Sequence, residues 1–305
     1  MGTGPGLNTG GRQNLRRREM LRYAVVAAAG GSALGAGGRA GESAPNVVTK
    51  GRLKQSIAYW CFGEYWDLEK TCRIARDLGC KSVELVEPEH WPLLKKYDLV
   101  CALANSHWFD KGMNNPKHHA RCLAQMRAAI DACADFGFPN VITFTGLAEG
   151  IAPDEGARHC VAGYKQIIGY AEKKKVNLCL EVLNSRVPVE MVGVPGYQGD
   201  HTDYCMDIVK RVGSLRMKLL FDIFHVQIMD GDIIARIREY RDYIGHYHTA
   251  GNPGRHELDD TQEINYRAVM KAIAETGFTG YVGHEFMATR DPLDGLREAV
   301  ALCDV

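Results

Sequence analysis

NLCLEVLN at 177–184, KLLFDIFH at 218–225, GHYHTAG at 245–251 and YVGHEF at 281–286 decide how this chain folds. In each, a short run of apolar or β-favouring residues leads to a polar side chain: Glu181, Asp222, His248 and Glu285. Helix-like segments separate the runs. Such alternation predicts a parallel sheet. In a closed parallel barrel the C-terminal ends of all strands meet at one rim. Four residues far apart in sequence then converge on one small volume. Three carboxylates and one imidazole make a hard, oxygen-rich donor set, suited to Mn²⁺, Mg²⁺ or Co²⁺. A single strand-end glutamate can equally be a salt-bridge partner or a loop cap. Four such residues at successive strand ends point to a metal-dependent enzyme with a small oxygenated substrate.

Working outward, eight strands are expected, at 55–60, 82–86, 99–104, 140–145, 177–183, 217–221, 244–249 and 281–285. Helices are expected near 67–78, 91–96, 117–136, 154–174, 202–212, 232–240, 266–276 and 292–302. In the first of these, Leu68, Cys72, Ala75 and Leu78 recur at helical spacing, and Gly79 is placed to end the helix. Eight β/α units match an α/β fold of the (β/α)₈ TIM-barrel type. The rival, an open doubly wound sheet, lacks its GxGxxG after the first strand. Two long loops stand out. The loop at 105–116 carries His107, a candidate substrate contact, because long rim loops commonly carry function. The Gly/Pro/Val-rich stretch at 185–200 reads as a lid or a subunit contact.

Lys+Arg and Asp+Glu both number 37 among 305 residues, so the net charge is zero. No large basic surface is implied, which argues against nucleic acid as a partner. The ten cysteines form no CxxC pair, and most sit within apolar patterns. They read as buried free thiols packing as small hydrophobes. The first 45 residues read as a separate segment. Arg16, Arg17 and Arg18 precede Glu19, then a mild apolar run from Tyr23 to Ala29. This resembles a twin-arginine (Tat) export signal. Its run is too short for a stable membrane span. Cleavage near Ala40 or Ala44 would release a barrel domain at 50–305 to a periplasmic or extracytoplasmic location, with the Tat machinery as partner.

In FDIFHVQ, His225 lies three residues after Asp222 and can turn into the same pocket. His246 and His248 share one face of their strand, and His248 is nearer the rim. His248 is therefore the better ligand and His246 the structural residue. Arg255, on the Gly-Pro loop beyond, suits a substrate carboxylate or hydroxyls.

Taken in order, EVLN, FDIFHVQ, IGHYHTAGNPGRHE, QEINY and GYVGHEF resemble the hydroxypyruvate isomerase group of the xylose isomerase-like TIM barrels. Ketose 3-epimerases and inosose dehydratases share that superfamily. The resemblance runs from about residue 54 to the C-terminus. It implies an isomerase for a small hydroxycarbonyl or sugar substrate, with a divalent metal on Glu181, Asp222, His248 and Glu285. Glu181 and Glu285 would also be the acid/base pair, and His225 and Arg255 would bind substrate. Glu84, in SVELVEP, matches a position at the pocket floor. Related barrels are often homo-oligomers. Two positions depart from the group's pattern. Gly251 stands where an acidic residue is usual, and the loop at 106–110 differs. The rivals are a ketose or keto-sugar epimerase, an inosose-type dehydratase, a metal-dependent phosphodiesterase of the endonuclease IV branch, and an exported sugar-binding barrel.

Overall fold

A computed structural model describes residues 47–305. The segment at 1–45, expected to be a Tat-type leader, lies outside the described residues. Seven parallel strands appear: β1 Lys54–Ala58, β2 Ser82–Glu84, β3 Asn140–Thr143, β4 Asn177–Glu181, β5 Met217–Asp222, β6 Ile244–Thr249 and β7 Tyr281–His284. Their order in the sheet is β2-β1-β7-β6-β5-β4-β3. The expected strand at 99–104 supplies the missing stave. Val83 N–H donates to Val100 O and Leu85 N–H to Leu103 O on one side, and Ile142 N–H donates to Ala104 O on the other. These bonds join β2 to β3 and close the barrel.

The eighth stave is irregular because side chains replace part of its ladder. Ala102 N–H donates to Ser82 Oγ at 2.9 Å, and Ala102 O accepts from Asn140 Nδ2 at 2.9 Å. Only isolated bridges, Ser82–Val100 and Ala104–Val141, remain there as regular pairing. A β-like composition could not reveal this substitution.

The helices are α1 Leu68–Leu78, α2 Trp91–Lys96, α3 Pro116–Phe136, α4 Pro153–Tyr164, α5 Ile168–Lys174, α6 Thr202–Val212, α7 Ile223–Met229, α8 Ile233–Tyr240, α9 Tyr266–Glu275 and α10 Pro292–Cys303. Local signals set many boundaries. Asp67 caps α1 by accepting from Lys70 N–H, and Gly79 ends it at φ 90°, a left-handed value that costs glycine little. The single helix expected at 154–174 is two helices. Gln166 N–H bonds back to Gly163 O and Ile167 N–H to Tyr164 O, so the chain tightens into three-residue turns between α4 and α5.

Helix α7 was not expected. Asp222 creates it: its carboxylate accepts from Phe224 and His225 N–H, as an N-cap does. The first strand is shorter than expected and ends at Ala58. A 3₁₀ turn, Tyr59–Cys61, follows it at the rim and carries Trp60. Strands β2, β3 and the inner parts of the others are buried on both faces, as a helix-covered parallel sheet requires. All ten cysteines are buried and free. Among the described residues, no helix is long and apolar enough to cross a membrane.

Candidate active site

Register carries the polar residues to one end of the barrel. Glu181 ends β4, Asp222 ends β5 and pairs with His248 of β6, and His248 pairs in turn with Gly283 of β7. Glu285 follows β7 directly, held by its N–H to Thr249 O at 3.0 Å. One donor atom from each of Glu181, Asp222, His248 and Glu285 lies within 4.8 Å of the others. The structure thus brings together the four residues singled out in the sequence.

The four are all buried, and their surroundings differ. His248 Nδ1 lies 2.9 Å from Glu285 Oε2, 3.6 Å from Glu181 Oε1 and 4.0 Å from Asp222 Oδ2. Its geometry nevertheless gives it no hydrogen-bond partner among the described residues. Burial pushes the Glu181 carboxyl up to about 7, with the charges of Glu285 and Asp222 adding to the effect. Burial also pushes Asp222 up to about 6, against the pull of Arg255. Glu285 behaves in the opposite way. Burial raises it, but Arg255, His248 and the Trp60 indole together hold it well below the usual carboxylate range.

Two cationic or donor groups frame the carboxylates. Arg255, in a left-handed backbone conformation at φ 62°, pairs through Nη2 with Glu285 Oε2 and lies 3.6 Å from Asp222 Oδ2. Its Nη1 donates to Met191 O at 2.6 Å, which ties the 185–200 loop to the site. The guanidinium also sits 5.2 Å from the Trp60 ring centroid, a cation–π distance. His225 Nδ1 accepts from Asn184 N–H at 3.1 Å and faces Asn184 Nδ2 at 2.7 Å. With Nδ1 an acceptor, the proton of neutral His225 sits on Nε2. That Nε2 and Arg255 Nε are both buried without a hydrogen-bond partner among the described residues.

Two of the expected substrate contacts take other places. Glu84 is fully buried behind His248, its Oε1 2.7 Å from His248 Nε2 and 3.0 Å from His246 Nε2. Both ring nitrogens of His107 are occupied, by Trp108 O at 3.2 Å and Thr143 Oγ1 at 2.8 Å. His107 therefore braces its loop against β3 and has no free donor to offer a substrate. Two residues in the site were missed in the sequence. Trp60 Nε1–H donates to Glu285 Oε1 at 2.7 Å, and Asn184 fixes the His225 tautomer. Their positions just beyond β1 and β4 were the available signal.

The donor chemistry fits a divalent cation. Three buried carboxylates face one another with a single guanidinium beside them, and an imidazole nitrogen without a hydrogen bond points among them. Like charges so close in a buried site are relieved by taking up protons or by a bound cation. Oxygen donors plus one imidazole are ordinary ligands for such an ion.

Residues 72–304 match the xylose isomerase-like TIM barrel family, and the chain belongs to that family. Its relatives narrow the kinship. A Drosophila melanogaster protein provisionally named a hydroxypyruvate isomerase is 26% identical over 237 residues, which are 73% of this chain and 87% of that one. The hydroxypyruvate isomerase of Escherichia coli K12 is 33% identical over 110 residues, 36% of this chain and 42% of that protein. The solved structure of 3-keto-D-glucoside 4-epimerase from E. coli shares the fold, with a TM-score of 0.68 at 14% identity, covering 83% of this chain and 98% of the epimerase.

Proposed function

We propose that this isomerase moves a proton between adjacent carbons of a small hydroxycarbonyl compound, of the hydroxypyruvate/tartronate semialdehyde type, with a divalent metal held by Glu181, Asp222, His248 and Glu285. The observation that carries the proposal is the four-ligand cluster flanked by two unpartnered buried donors, His225 Nε2 and Arg255 Nε. A buried donor left without a partner costs about 1–3 kcal/mol. Two of them beside a carboxylate cluster are best explained as contacts for the oxygens of a ligand.

The bound cation would supply electrostatic stabilisation of negative charge developing on substrate oxygens. The remaining chemistry belongs to the side chains. Among the described residues no hydrogen bond of ordinary length holds the Glu181 carboxylate, and His248 Nδ1 lies 3.6 Å from its Oε1. Such a carboxylate, raised toward neutrality, is suited to taking up and returning a proton near pH 7. Glu285 is fixed by Trp60 and Arg255, which hold it ionised and aimed. In this reading Glu181 removes the proton from the carbon beside C=O as a carboxylate and returns it as a carboxylic acid to the former carbonyl carbon. Ionised Glu285 takes the proton from the hydroxyl oxygen and passes it to the carbonyl oxygen. His225 Nε2–H and Arg255 orient the carbonyl, hydroxyl or carboxylate oxygens.

The test is deuterium incorporation from D₂O, followed by NMR, for the metal-loaded full chain. The panel is hydroxypyruvate, several ketoses, a 3-keto-glycoside and an inosose. Exchange with hydroxypyruvate and formation of the aldehyde isomer are expected. Exchange only with ketoses, returning the proton to the same carbon, would instead assign an epimerase, and loss of water from the inosose a dehydratase. Absence of exchange with every compound would sink the enolising mechanism.

We also propose export through the Tat route, which rests on Arg16–Arg18 and the apolar run that follows. Mature protein outside the cytoplasm, shortened to a start near residue 41 or 45, is the expected result of fractionation and N-terminal sequencing. Substituting Lys for Arg16, Arg17 and Arg18 should retain the protein inside, and continued export would defeat the proposal.

A further inference from the structure

Glu84, His246 and His248 form a second close cluster beside the site of three carboxylates and one imidazole, sharing His248 with it. All three are fully buried. Their contacts are of hydrogen-bond length, 2.7 and 3.0 Å, and both imidazoles meet one oxygen, Glu84 Oε1. That geometry belongs to two N–H groups donating to a carboxylate, and it leaves no room for an ion among them. In neutral His248 with its hydrogen on Nε2, the other nitrogen, Nδ1, presents a lone pair. That Nδ1 is the atom facing Glu181, Asp222 and Glu285.

We propose that Glu84 is a positioning residue, which sets the tautomer and ring orientation of His248 so that Nδ1 is the metal ligand. This rests on the metal reading above and adds a residue to it. A carboxylate behind a ligating histidine raises the basicity of the ligand nitrogen and fixes the ring. His246 supports the arrangement from below by giving Glu84 a second N–H. Gly283 makes the approach possible. Glu84 stands on β2 and His248 on β6, separated in the sheet by β1 and β7. Glu84 reaches across the barrel interior over β7 at Gly283. A Cβ on Gly283 would lie 2.5 Å from Glu84 Oε1 and 2.9 Å from His248 Cδ2, closer than real contacts allow. The requirement at residue 283 is thus for absence of a side chain.

The experiment is a Mn²⁺ titration of the full chain, read by the EPR signal of free Mn²⁺, for wild type, Glu84→Ala, Glu84→Gln and Gly283→Ala. Circular dichroism checks that each variant is folded. Glu84→Ala and Gly283→Ala are expected to raise the Mn²⁺ Kd about 10–100-fold, the range usual for such partners. Glu84→Gln keeps the shape but not the charge, so about tenfold is expected and the variant decides the matter if the alanine forms do not fold. A second readout is the ring ¹⁵N spectrum of the Mg²⁺-loaded protein. The His248 Nε2–H resonance present in wild type should be lost or displaced in Glu84→Ala, which a packing role alone would not produce. Folded Glu84 variants with Mn²⁺ affinity within twofold of wild type would overturn the role of Glu84. Failure of the wild-type protein to take up Mn²⁺ would overturn the metal reading instead.

Discussion

Glu181→Gln is expected to lower kcat/KM by at least about 10³-fold, or roughly 4 kcal/mol of transition-state stabilisation, with the fold retained. The substitution keeps the size of the side chain but removes both the charge and the exchangeable proton. Positioned general acid–base groups contribute about 10²–10⁴-fold by themselves. Glu181 would also lose a charged ligand oxygen from the cluster around His248 Nδ1. Its Glu285 counterpart is bound by Trp60 and Arg255, so it is less able to take over the proton-transfer role. The measurement is deuterium incorporation from D₂O alongside kcat, with Mn²⁺ held at saturation. Loss of exchange in step with loss of kcat is the expected outcome. A variant that still exchanges the substrate proton at the wild-type rate would remove Glu181 from the chemistry.

Stripping divalent metal is expected to abolish turnover and to lower Tm. A ligand present at about 100 times its Kd stabilises a protein by about 2.7 kcal/mol, which for a domain of this size is about 5–10 °C. The loss should depend on pH. In the metal-free protein the Glu181 and Asp222 carboxyls sit at about 7 and about 6, above their ordinary values. Through these two carboxyls the folded state holds more protons than the unfolded state between about pH 4 and 7, so their own contribution to metal-free stability falls as pH rises through that window. Glu285 and Glu84, held low, titrate below it. Metal competes with those protons, so the affinity should increase over the same range and binding should release protons. Calorimetric scans with and without EDTA at pH 5, 6, 7 and 8 check this. The gap in Tm should widen with pH. A gap that narrows, or no gap at any pH, would contradict the ligand assignment.

How much was legible in the sequence depended on how local the cause was. The βα alternation, the Asp67 cap and the Gly79 stop are short-range signals, and the elements fall close to where they place them. The four strand-end residues were legible because barrel topology alone brings strand ends together. Where side-chain bonds replaced backbone pairing, as around Ala102, composition still read as a plain strand. Helix α7 was missed because Asp222 both ends a strand and caps the helix after it.

By itself the sequence determined the fold class, the candidate ligands and the kinship, since each depends on periodicity, strand-end position or motif. Only the tertiary structure decided what surrounds those ligands. Glu84 and His248 are 164 residues apart, and no spacing rule predicts that one carboxylate takes the Nε2 hydrogens of two histidines across a glycine. Nor could spacing show Trp60 bonded to Glu285, or His107 bonded to its own loop and to Thr143 of β3. Tautomer, ionisation and access depend on distances across the barrel interior, and those are fixed only when all the staves close around it.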